Sequence, residues 1–339
     1  MKHTYAPIGL YSLCKPLLFR IPPEKAHKLS LRALGLAGSL PPARYVLKRF
    51  FSPDTQSLSL FGHTFINRIG MAAGYDKNAQ ALDGLEGMGF GHIEVGTITP
   101  KPQKGNPNPR VHRLPQESAL VNRLGFPNDG LDIIAKRIES YCNRRNKRYS
   151  GPRPILGINI GKNKTTANAQ AYLDYKECFT RLKDVADYIT INVSSPNTPN
   201  LRALQSEEEL EKILTPILDI RQKSASHVPI LVKLSPNLEH NTRTGMIQKL
   251  VEWSVDGVIL SNTTKTSHPW EGGKSGAPLH DATLSLIQET RSRFPNLVII
   301  ASGGIGLDGD LQTFIEAGAD LIQIWTALVY RGPYLLRRL

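Results

Sequence analysis

The sequence has few cysteines and no apolar run long enough to cross a membrane. The 339-residue chain contains only Cys14, Cys142 and Cys178, which lie far apart with no Cys-x-x-Cys pair. This spacing argues against a disulfide framework and against a thiolate-held metal or iron–sulfur cluster, and it fits a reducing compartment. The apolar runs fall well short of the roughly 20 residues of a membrane span. The early run IGLYSLC lies between Pro7 and Lys15 with no small-residue cleavage pattern after it, so a signal peptide is not expected.

Acidic residues are scarce in the first 50 positions. This stretch contains nine Lys or Arg against Glu24 alone, a balance of +8, whereas the whole chain carries +13. A basic module of this kind indicates an anionic partner, either a membrane surface or a nucleic acid. The segment PPEKAHKLSLRALGLAG begins with two prolines, ends in glycines and spaces its apolar residues as a helix does. With LYSLCKPLLF it predicts a basic, amphipathic subdomain of two helices over residues 1–50, which either packs on the main body or touches lipid.

After residue 50 the chain alternates apolar, β-rich runs with helical segments. Eight runs are predicted to be strands, at residues 68–74, 90–97, 154–160, 187–194, 229–235, 256–262, 297–303 and 320–326. Several lack polar alternation, as expected for parallel strands that are covered on both faces. The eightfold repeat predicts an α/β fold, a TIM (β/α)8 barrel over residues 51–339, with its chemistry at the carboxyl ends of the strands. A doubly wound open sheet is the alternative, disfavoured because no glycine-rich turn follows the first strand.

Every predicted strand ends in residues that can bind or react. The fourth strand runs into SSPN, which out of context is ordinary turn sequence. Lys77 follows the first predicted strand, and Lys233 lies near the end of the fifth. Asparagines stand at the ends of the third, fourth and sixth strands. The carboxyl ends of barrel strands share one face, so these side chains are expected to converge there. Such convergence favours a binding site over a set of unrelated turns.

Eight motifs, in order and spacing, resemble those of dihydroorotate dehydrogenases of the membrane-associated, quinone-using class. They are AAGYDKN, VNRLGFPN, GINIGKNK, NVSSPNTPNLRALQ, VKLSPN, SNTT, GGKSGAPL and ASGGIG. The resemblance covers essentially the whole chain, and PEKAH is similar to the helical entrance of the quinone tunnel in that class. It implies FMN-dependent oxidation of (S)-dihydroorotate to orotate in pyrimidine biosynthesis, with the electrons passed to a membrane quinone. It also implies a monomer held peripherally at the cytoplasmic face of the inner membrane, with no nucleic-acid partner and no metal ion.

The resemblance assigns the catalytic and substrate-binding roles residue by residue. Ser195 matches the base that removes a proton from C5 of dihydroorotate, and Thr198 matches the relay that assists it through water. The soluble class carries cysteine at the position of Ser195, so this serine argues for the quinone class. Substrate contacts are implied at Lys77, Asn122, Arg123, Leu124, Gly125, Phe126, Asn192, Asn197, Asn262 and Thr263. Asparagine suits a pyrimidine dione because one amide both donates and accepts hydrogen bonds.

FMN contacts are implied along the strand ends. The ring and ribityl contacts are Ala73, Gly74, Thr97, Asn159, Asn192, Lys233 and Ser261, and the phosphate contacts are Gly276, Gly303, Gly304, Trp325 and Thr326. Lys233 would stabilise negative charge on the reduced ring. Ser261 and Trp325 depart from the Thr and Tyr that are commoner in the family, and the final helix is expected to be short.

Two other functions stay open at this point. A flavin barrel that reduces uridine in transfer RNA would also be basic, but such enzymes resemble one another in a catalytic loop cysteine. No cysteine of this chain lies at a predicted strand end. A non-catalytic membrane-surface module would explain residues 1–50, but it would not explain the convergent asparagines and lysines. Anaerobic bleaching of the yellow protein by dihydroorotate discriminates among these readings.

Overall fold

A closed ring of eight parallel strands forms the centre of the protein. The computed structural model describes residues 3–198, 200–225 and 227–339. Over these residues the strands are β1 Leu58–Leu60, β2 His63–Phe65, β3 Ile69–Met71, β4 His92–Ile98, β5 Val111–Leu114, β6 Ala119–Asn122, β7 Ile155–Ile160, β8 Tyr188–Asn192, β9 Ile230–Lys233, β10 Gly257–Leu260, β11 Thr264–Thr266, β12 Gly272–Gly276, β13 Val298–Ser302 and β14 Leu321–Ile324. The ring runs β3, β4, β7, β8, β9, β10, β13 and β14, and β14 pairs with β3 to close it. The predicted TIM barrel is confirmed, and the open-sheet alternative is wrong.

Helices cover the outside of the ring. In the described chain they are α1 Tyr11–Arg20, α2 Pro23–Ser39, α3 Pro41–Phe51, α4 Leu82–Gly87, α5 Leu131–Arg148, α6 Ala171–Leu182, α7 Glu207–Gln222, α8 His240–Glu252, α9 His280–Arg293, α10 Asp310–Glu316 and α11 Thr326–Arg331. Helix α6 shows why they form: its buried residues Ala171, Tyr175, Cys178 and Leu182 recur at helical spacing and face the barrel. The last helix is short, as expected, and a 3₁₀ turn over Pro333–Arg337 follows it.

The lower end of the barrel is closed by a hairpin. Strands β1 and β2 pair antiparallel. Phe65 at the end of β2 is fully buried and packs in a cluster with Ile155, Tyr188 and Leu231, which stand at or near the amino-terminal ends of their strands. The opposite end, where the strands finish, is therefore the end that is left for a site.

The amino-terminal subdomain contains three helices, not the two predicted. Helix α3, over Pro41–Phe51, is the helix that was not predicted, and it begins at Pro41, where a missing N–H costs a helix nothing. Helix α2 packs on α4 through glycines: a Cβ on Gly38 would lie 2.3 Å from the Gly84 nitrogen. This close approach fixes the helices to the barrel. None of the helices in the described chain combines the length and the apolarity that a bilayer crossing requires.

A four-stranded antiparallel sheet, which the sequence did not predict, stands over the carboxyl ends of the barrel strands. Its order is β11, β12, β6 and β5. Arg113 of β5 donates to the carbonyls of Phe19 and Ile21, at 3.3 and 2.8 Å, and so connects this sheet to α1. The sheet and the amino-terminal helices together form walls above the barrel.

Candidate active site

A cavity of about 740 Å³ extends from the carboxyl ends of the barrel strands to the amino-terminal helices. Its polar floor includes Ser195, Asn192 and Lys233, and its other end includes Leu18 and His27 from α1 and α2. One continuous space therefore connects the predicted reaction site with the predicted quinone entrance.

Most of the predicted site residues line this cavity. They are Ala73, Gly74, Lys77, Thr97, Asn122, Leu124, Gly125, Phe126, Asn192, Ser195, Asn197, Lys233, Asn262, Thr263, Gly276, Gly303, Gly304, Trp325 and Thr326. Asn159 and Ser261 are buried residues outside the lining, and Thr198 is buried next to the loop of Ser195. Arg123 does not join them, because its side chain is exposed to solvent while its neighbours in the loop face inward.

The SSPN sequence forms a turn that carries its second serine into the cavity. Ser195 Oγ accepts the backbone N–H of Asn197 at 3.2 Å, and the side chain is 6% exposed. Thr198 Oγ1 is buried without a hydrogen-bond partner in the described chain. A buried hydroxyl of this kind has unused donor and acceptor capacity for a water or a ligand.

Hydrogen bonds hold three of the predicted substrate-binding asparagines in place. Asn197 donates from Nδ2 to Asn122 Oδ1 at 3.0 Å, and Asn262 donates from Nδ2 to Ser194 Oγ at 2.8 Å. Thr263 in turn donates its backbone N–H to Asn262 Oδ1 at 2.7 Å. These bonds fix the amides in place around the cavity, where a planar ring with adjacent N–H and C=O groups can be recognised.

Beneath the cavity floor lies a connected polar layer. Thr97 Oγ1 donates to Asn159 Oδ1 at 2.6 Å, and Asn192 Nδ2 donates to the same oxygen at 3.0 Å. Asn159 Nδ2 donates to Glu94 Oε1 at 2.8 Å. Sequence analysis missed Glu94, although its signal is visible: it is a lone charge in the run FGHIEVGT, which was predicted to be a buried strand.

Two lysines bring positive charge to the cavity. The pKa of Lys77 is lowered to about 8, chiefly by burial and also by the charge of Arg110, while Asp76 and Glu24 act in the opposite direction. Lys77 Nζ donates to the Gly74 carbonyl. Burial also lowers the pKa of Lys233, and the charge of Glu94 partly opposes that effect. A buried cation facing an open cavity is suited to an anionic ligand or to developing negative charge.

Glycines leave room for a phosphate at the loops after β12 and β13. Gly276 and Gly304 have φ values of +101° and +79°. A Cβ on Gly304 would lie 2.3 Å from the His280 nitrogen, so only glycine fits there. Beside them, Ser275 Oγ and Thr326 Oγ1 lie 2.8 Å apart. This combination of bare backbone and hydroxyls suits a phosphate, and with the lysines and the amides it is a donor set that fits FMN.

The far end of the cavity is aromatic and apolar. His27 of α2 packs 5.1 Å from the Tyr75 ring and 5.7 Å from the Trp325 ring. Burial lowers the pKa of His27 to about 3, and the charge of Lys77 contributes to that lowering, so the imidazole is neutral at physiological pH.

Tyr5, also missed by sequence analysis, donates from its hydroxyl to the Gly304 carbonyl at 2.5 Å. The amino-terminal segment thus contacts the candidate phosphate loop.

Comparison with known proteins agrees with this geometry. The family model described as dihydroorotate dehydrogenase matches residues 56–339. A curated relative from Xanthomonas campestris pv. campestris (strain B100), named dihydroorotate dehydrogenase (quinone), is 42% identical over 340 residues, covering 96% of this chain and 94% of its own. A relative of the same name from Xylella fastidiosa (strain M12) is 43% identical over 343 residues, with 96% and 94% covered.

Solved structures are similar over nearly the whole fold. The crystal structure of DHODH from Eimeria tenella in complex with ferulenol has a TM-score of 0.85 and 36% identity, covering 93% of this chain and 89% of its own. The ligand-free form from the same organism also has a TM-score of 0.85 and 36% identity, with 93% and 92% covered. On the family match, these identities and the shared fold, the chain belongs to the dihydroorotate dehydrogenase family.

Proposed function

We propose that this protein oxidises dihydroorotate to orotate with bound FMN and passes the electrons to a membrane quinone. The observation that carries the proposal is the continuous cavity, which has Ser195 and the asparagine set at one end and the apolar faces of α1 and α2 at the other. A single space of this kind serves both half-reactions. The family membership and the names of the curated relatives support the same reaction.

The donor set described above supports FMN as the cofactor. Gly276, Gly303 and Gly304 would hold the phosphate, and Lys233 would lie near the ring. A bound FMN supplies the two-electron chemistry at C6 of the substrate and the transfer to a quinone. Lys233 contributes a positive charge at the floor of the cavity, where negative charge increases during reduction.

Ser195 is the proposed base toward C5 of the substrate. It is held by the turn bond from Asn197 and it faces the cavity, but a free hydroxyl is a weak base. The partnerless hydroxyl of Thr198 is the group through which a water could take the proton onward. Asn122, Asn197 and Asn262 would orient the pyrimidine ring, and Lys77 would bind its carboxylate.

The amino-terminal helices are the proposed membrane contact. In the described chain nine of the fifteen exposed large hydrophobic residues fall between Leu10 and Phe50, and Leu10, Leu13 and Leu36 are 82, 72 and 66% exposed. The same stretch carries most of the excess positive charge. Apolar side chains beside basic ones are typical of a surface that lies in the membrane interface. We therefore propose residues 1–50 as a peripheral membrane subdomain at the cytoplasmic face, and residues 51–339 as the FMN barrel.

The uridine-reducing alternative receives no support from the site. Enzymes of that kind were expected to show a catalytic loop cysteine, whereas Cys14, Cys142 and Cys178 all lie on helices. An anaerobic titration tests the proposal. The purified protein should be yellow, dihydroorotate should bleach it, and a quinone should restore the colour. Colour that persists with excess dihydroorotate would contradict the proposed function.

A further inference from the structure

A carboxylate lies in the barrel interior, beneath the candidate flavin site. Glu94 of β4 is fully buried, with 0% exposure. Its Oε1 accepts from Asn159 Nδ2 at 2.8 Å, and its Oε2 accepts from Gln323 Nε2 at 2.8 Å and from the Tyr188 hydroxyl at 3.1 Å. Thr190 Oγ1 adds a longer contact at 3.3 Å. Both oxygens are therefore filled by donors, which satisfies a buried carboxylate without an adjacent ion pair.

The bond to Glu94 determines which way the Asn159 amide faces. Because Nδ2 points down to Glu94, Oδ1 points up and accepts from both Thr97 and Asn192. In the reversed orientation Oδ1 would face a carboxylate oxygen, and two acceptors would oppose each other. Thr97 and Asn192 line the cavity floor, so Glu94 controls two floor residues through Asn159.

Glu94 also supplies the negative charge that offsets the effect of burial on the pKa of Lys233. Burial lowers the pKa of Lys233, and the carboxylate of Glu94 is the charge that raises it. Lys233 ends β9 and lines the cavity, while Glu94 lies in the interior. Removing the carboxylate would leave a buried ammonium whose proton is held less strongly.

We propose that Glu94 is a positioning residue for the flavin site, which sets the Asn159 amide and balances the charge of Lys233. The inference rests on the proposed FMN-dependent function. It adds a residue that touches neither substrate nor cofactor and that acts through two groups which do.

Two substitutions separate the two effects. Glu94→Gln removes the charge and keeps the length of the side chain. The fold can accept the new amide. Gln323 Oε1 is buried without a partner in the described chain, and if the Gln323 amide turns over, this oxygen can accept a hydrogen bond from the amide of the new glutamine. Glu94→Asp keeps the charge but withdraws it from Asn159. Glu86→Gln is the control: Glu86 is a buried carboxylate on α4 that pairs with Arg148 at 3.0 Å and lies outside the cavity lining.

The measurements are the pH profile of the limiting rate of anaerobic flavin reduction, taken at saturating dihydroorotate so that weaker substrate binding through Lys77 does not contribute, and the FMN retained during dialysis. With Glu94→Gln the alkaline limb of the profile should move to lower pH by about 1 unit, because Lys233 loses its proton sooner. With Glu94→Asp the limb should stay near the wild-type position, while FMN is lost about tenfold faster because the Asn159 bond is broken. Glu86→Gln should change neither.

Each outcome decides the matter. A Glu94→Gln protein that is less stable but keeps the wild-type limb would overturn the inference, since a merely structural role lowers stability alone. If Glu94→Gln yields no folded protein, Glu94→Asp decides, and wild-type retention of FMN there would overturn it. A wild-type protein that lacks FMN or is not bleached by dihydroorotate would instead overturn the proposed function, on which this inference depends.

Discussion

Ser195 and Ser235 occupy equivalent turns in the chain, and this makes a matched test of the proposed base. Each begins a Ser-Pro-Asn turn after a barrel strand, and each Oγ accepts the backbone N–H of the asparagine two residues on, at 3.2 Å. Ser195 lines the cavity, whereas Ser235 lies outside its lining. We expect Ser195→Ala to retain FMN and to slow flavin reduction by dihydroorotate about 10²-fold or more, the scale of a lost general base.

Stopped-flow absorbance under anaerobic conditions measures that rate. Ser235→Ala removes the same kind of turn bond, so it controls for the effect on the loop and should reduce at nearly the wild-type rate. Wild-type reduction by Ser195→Ala would show that the serine only shapes the turn.

The lowered pKa of Lys77 predicts that ligand binding depends on pH. Burial brings its pKa to about 8. Above that pH the ammonium loses its proton and the site loses a positive charge, so the Kd for the anionic product orotate should rise, at most about tenfold per pH unit. Orotate titrations followed by the flavin spectrum between pH 6 and 10 measure it. Lys77→Met should bind weakly with a flat profile in this range, and a sloping profile in that variant would assign the titration to another group.

Many of the candidate site residues that the sequence predicted stand in short motifs at strand ends. Ser195, Asn197 and Lys233 were found this way, and they line the cavity. Glu94 stands out locally as a lone charge in an apolar run, but its role could not be predicted, because its hydrogen-bond partners come from other strands. Arg123 was included with its loop, yet neighbouring residues of an irregular loop can face opposite ways, and its side chain is exposed.

At the scale of elements, a short segment before α1 contacts the candidate phosphate loop. Tyr5 donates its backbone N–H to Ser118 Oγ at 2.8 Å, and Ile8 donates its own to the Arg331 carbonyl at 3.0 Å. His3 lies 2.8 Å from Asp281, next to His280 at the start of α9. This segment, residues 3–8, therefore connects the barrel helices with the loop that would bind the cofactor phosphate.

His280 is expected to make the stability of this junction depend on pH. Its pKa is raised chiefly by its hydrogen bond to Asp310, at 3.1 Å, and also by Asp281, while burial acts against them. A raised folded-state pKa gives stability that is complete below the unfolded value of 6.5 and is lost as pH rises through the folded value. The Tm advantage of wild type over His280→Gln should therefore be largest near pH 6 and fall by about 2 °C toward pH 8.

Thermal unfolding at several pH values measures this difference. His268→Gln, at an exposed histidine whose ring has no described partner, provides the control and should show no pH-dependent change relative to wild type. A constant difference between wild type and His280→Gln across the range would exclude the charged imidazole as the cause.

Several of the strands that the sequence did not predict have weak burial signals. The eight barrel strands were predicted because most are continuous apolar runs covered on both sides. Strands β5 and β11 have half-buried or exposed residues, and β12 is the glycine-rich run GGKSG, so none resembles a strand locally. They pair because the barrel brings their ends together, and a short stretch of sequence does not show which distant segments will meet.

At the scale of the whole molecule, exposed apolar residues and positive charge are concentrated at the same end. The amino-terminal helices also line the cavity, so the same surface would contact lipid and admit a lipid-soluble quinone. Deleting residues 1–45 would be an ambiguous test, because it would remove Tyr5 from the phosphate loop and Glu24 from its 3.0 Å pair with Arg110. Point substitutions on the outer surface avoid both losses.

The triple variant Leu13→Ser, Leu17→Ser and Leu36→Ser tests the membrane contact. These side chains are 72, 63 and 66% exposed, so the fold should tolerate the change, and dihydroorotate should still reduce the flavin at the wild-type rate. Binding to anionic liposomes should weaken by about tenfold or more, since each fully buried leucine contributes roughly 1.5–3 kcal/mol. Reoxidation by a long-tailed quinone in liposomes should slow in parallel, while a short-tailed, water-soluble quinone should be used as before.

The matched control places serine at Ile133, Leu173 and Val251, which are 50, 47 and 42% exposed on α5, α6 and α8. It replaces the same number of exposed apolar side chains, though less exposed ones, in another part of the molecule, and it should leave liposome binding unchanged. Co-sedimentation with liposomes and the two quinone assays, run on both variants, separate the effects. Equal liposome binding by the two variants would mean that the amino-terminal leucines do not enter the bilayer. Any membrane contact would then have to be electrostatic, and added salt should abolish it.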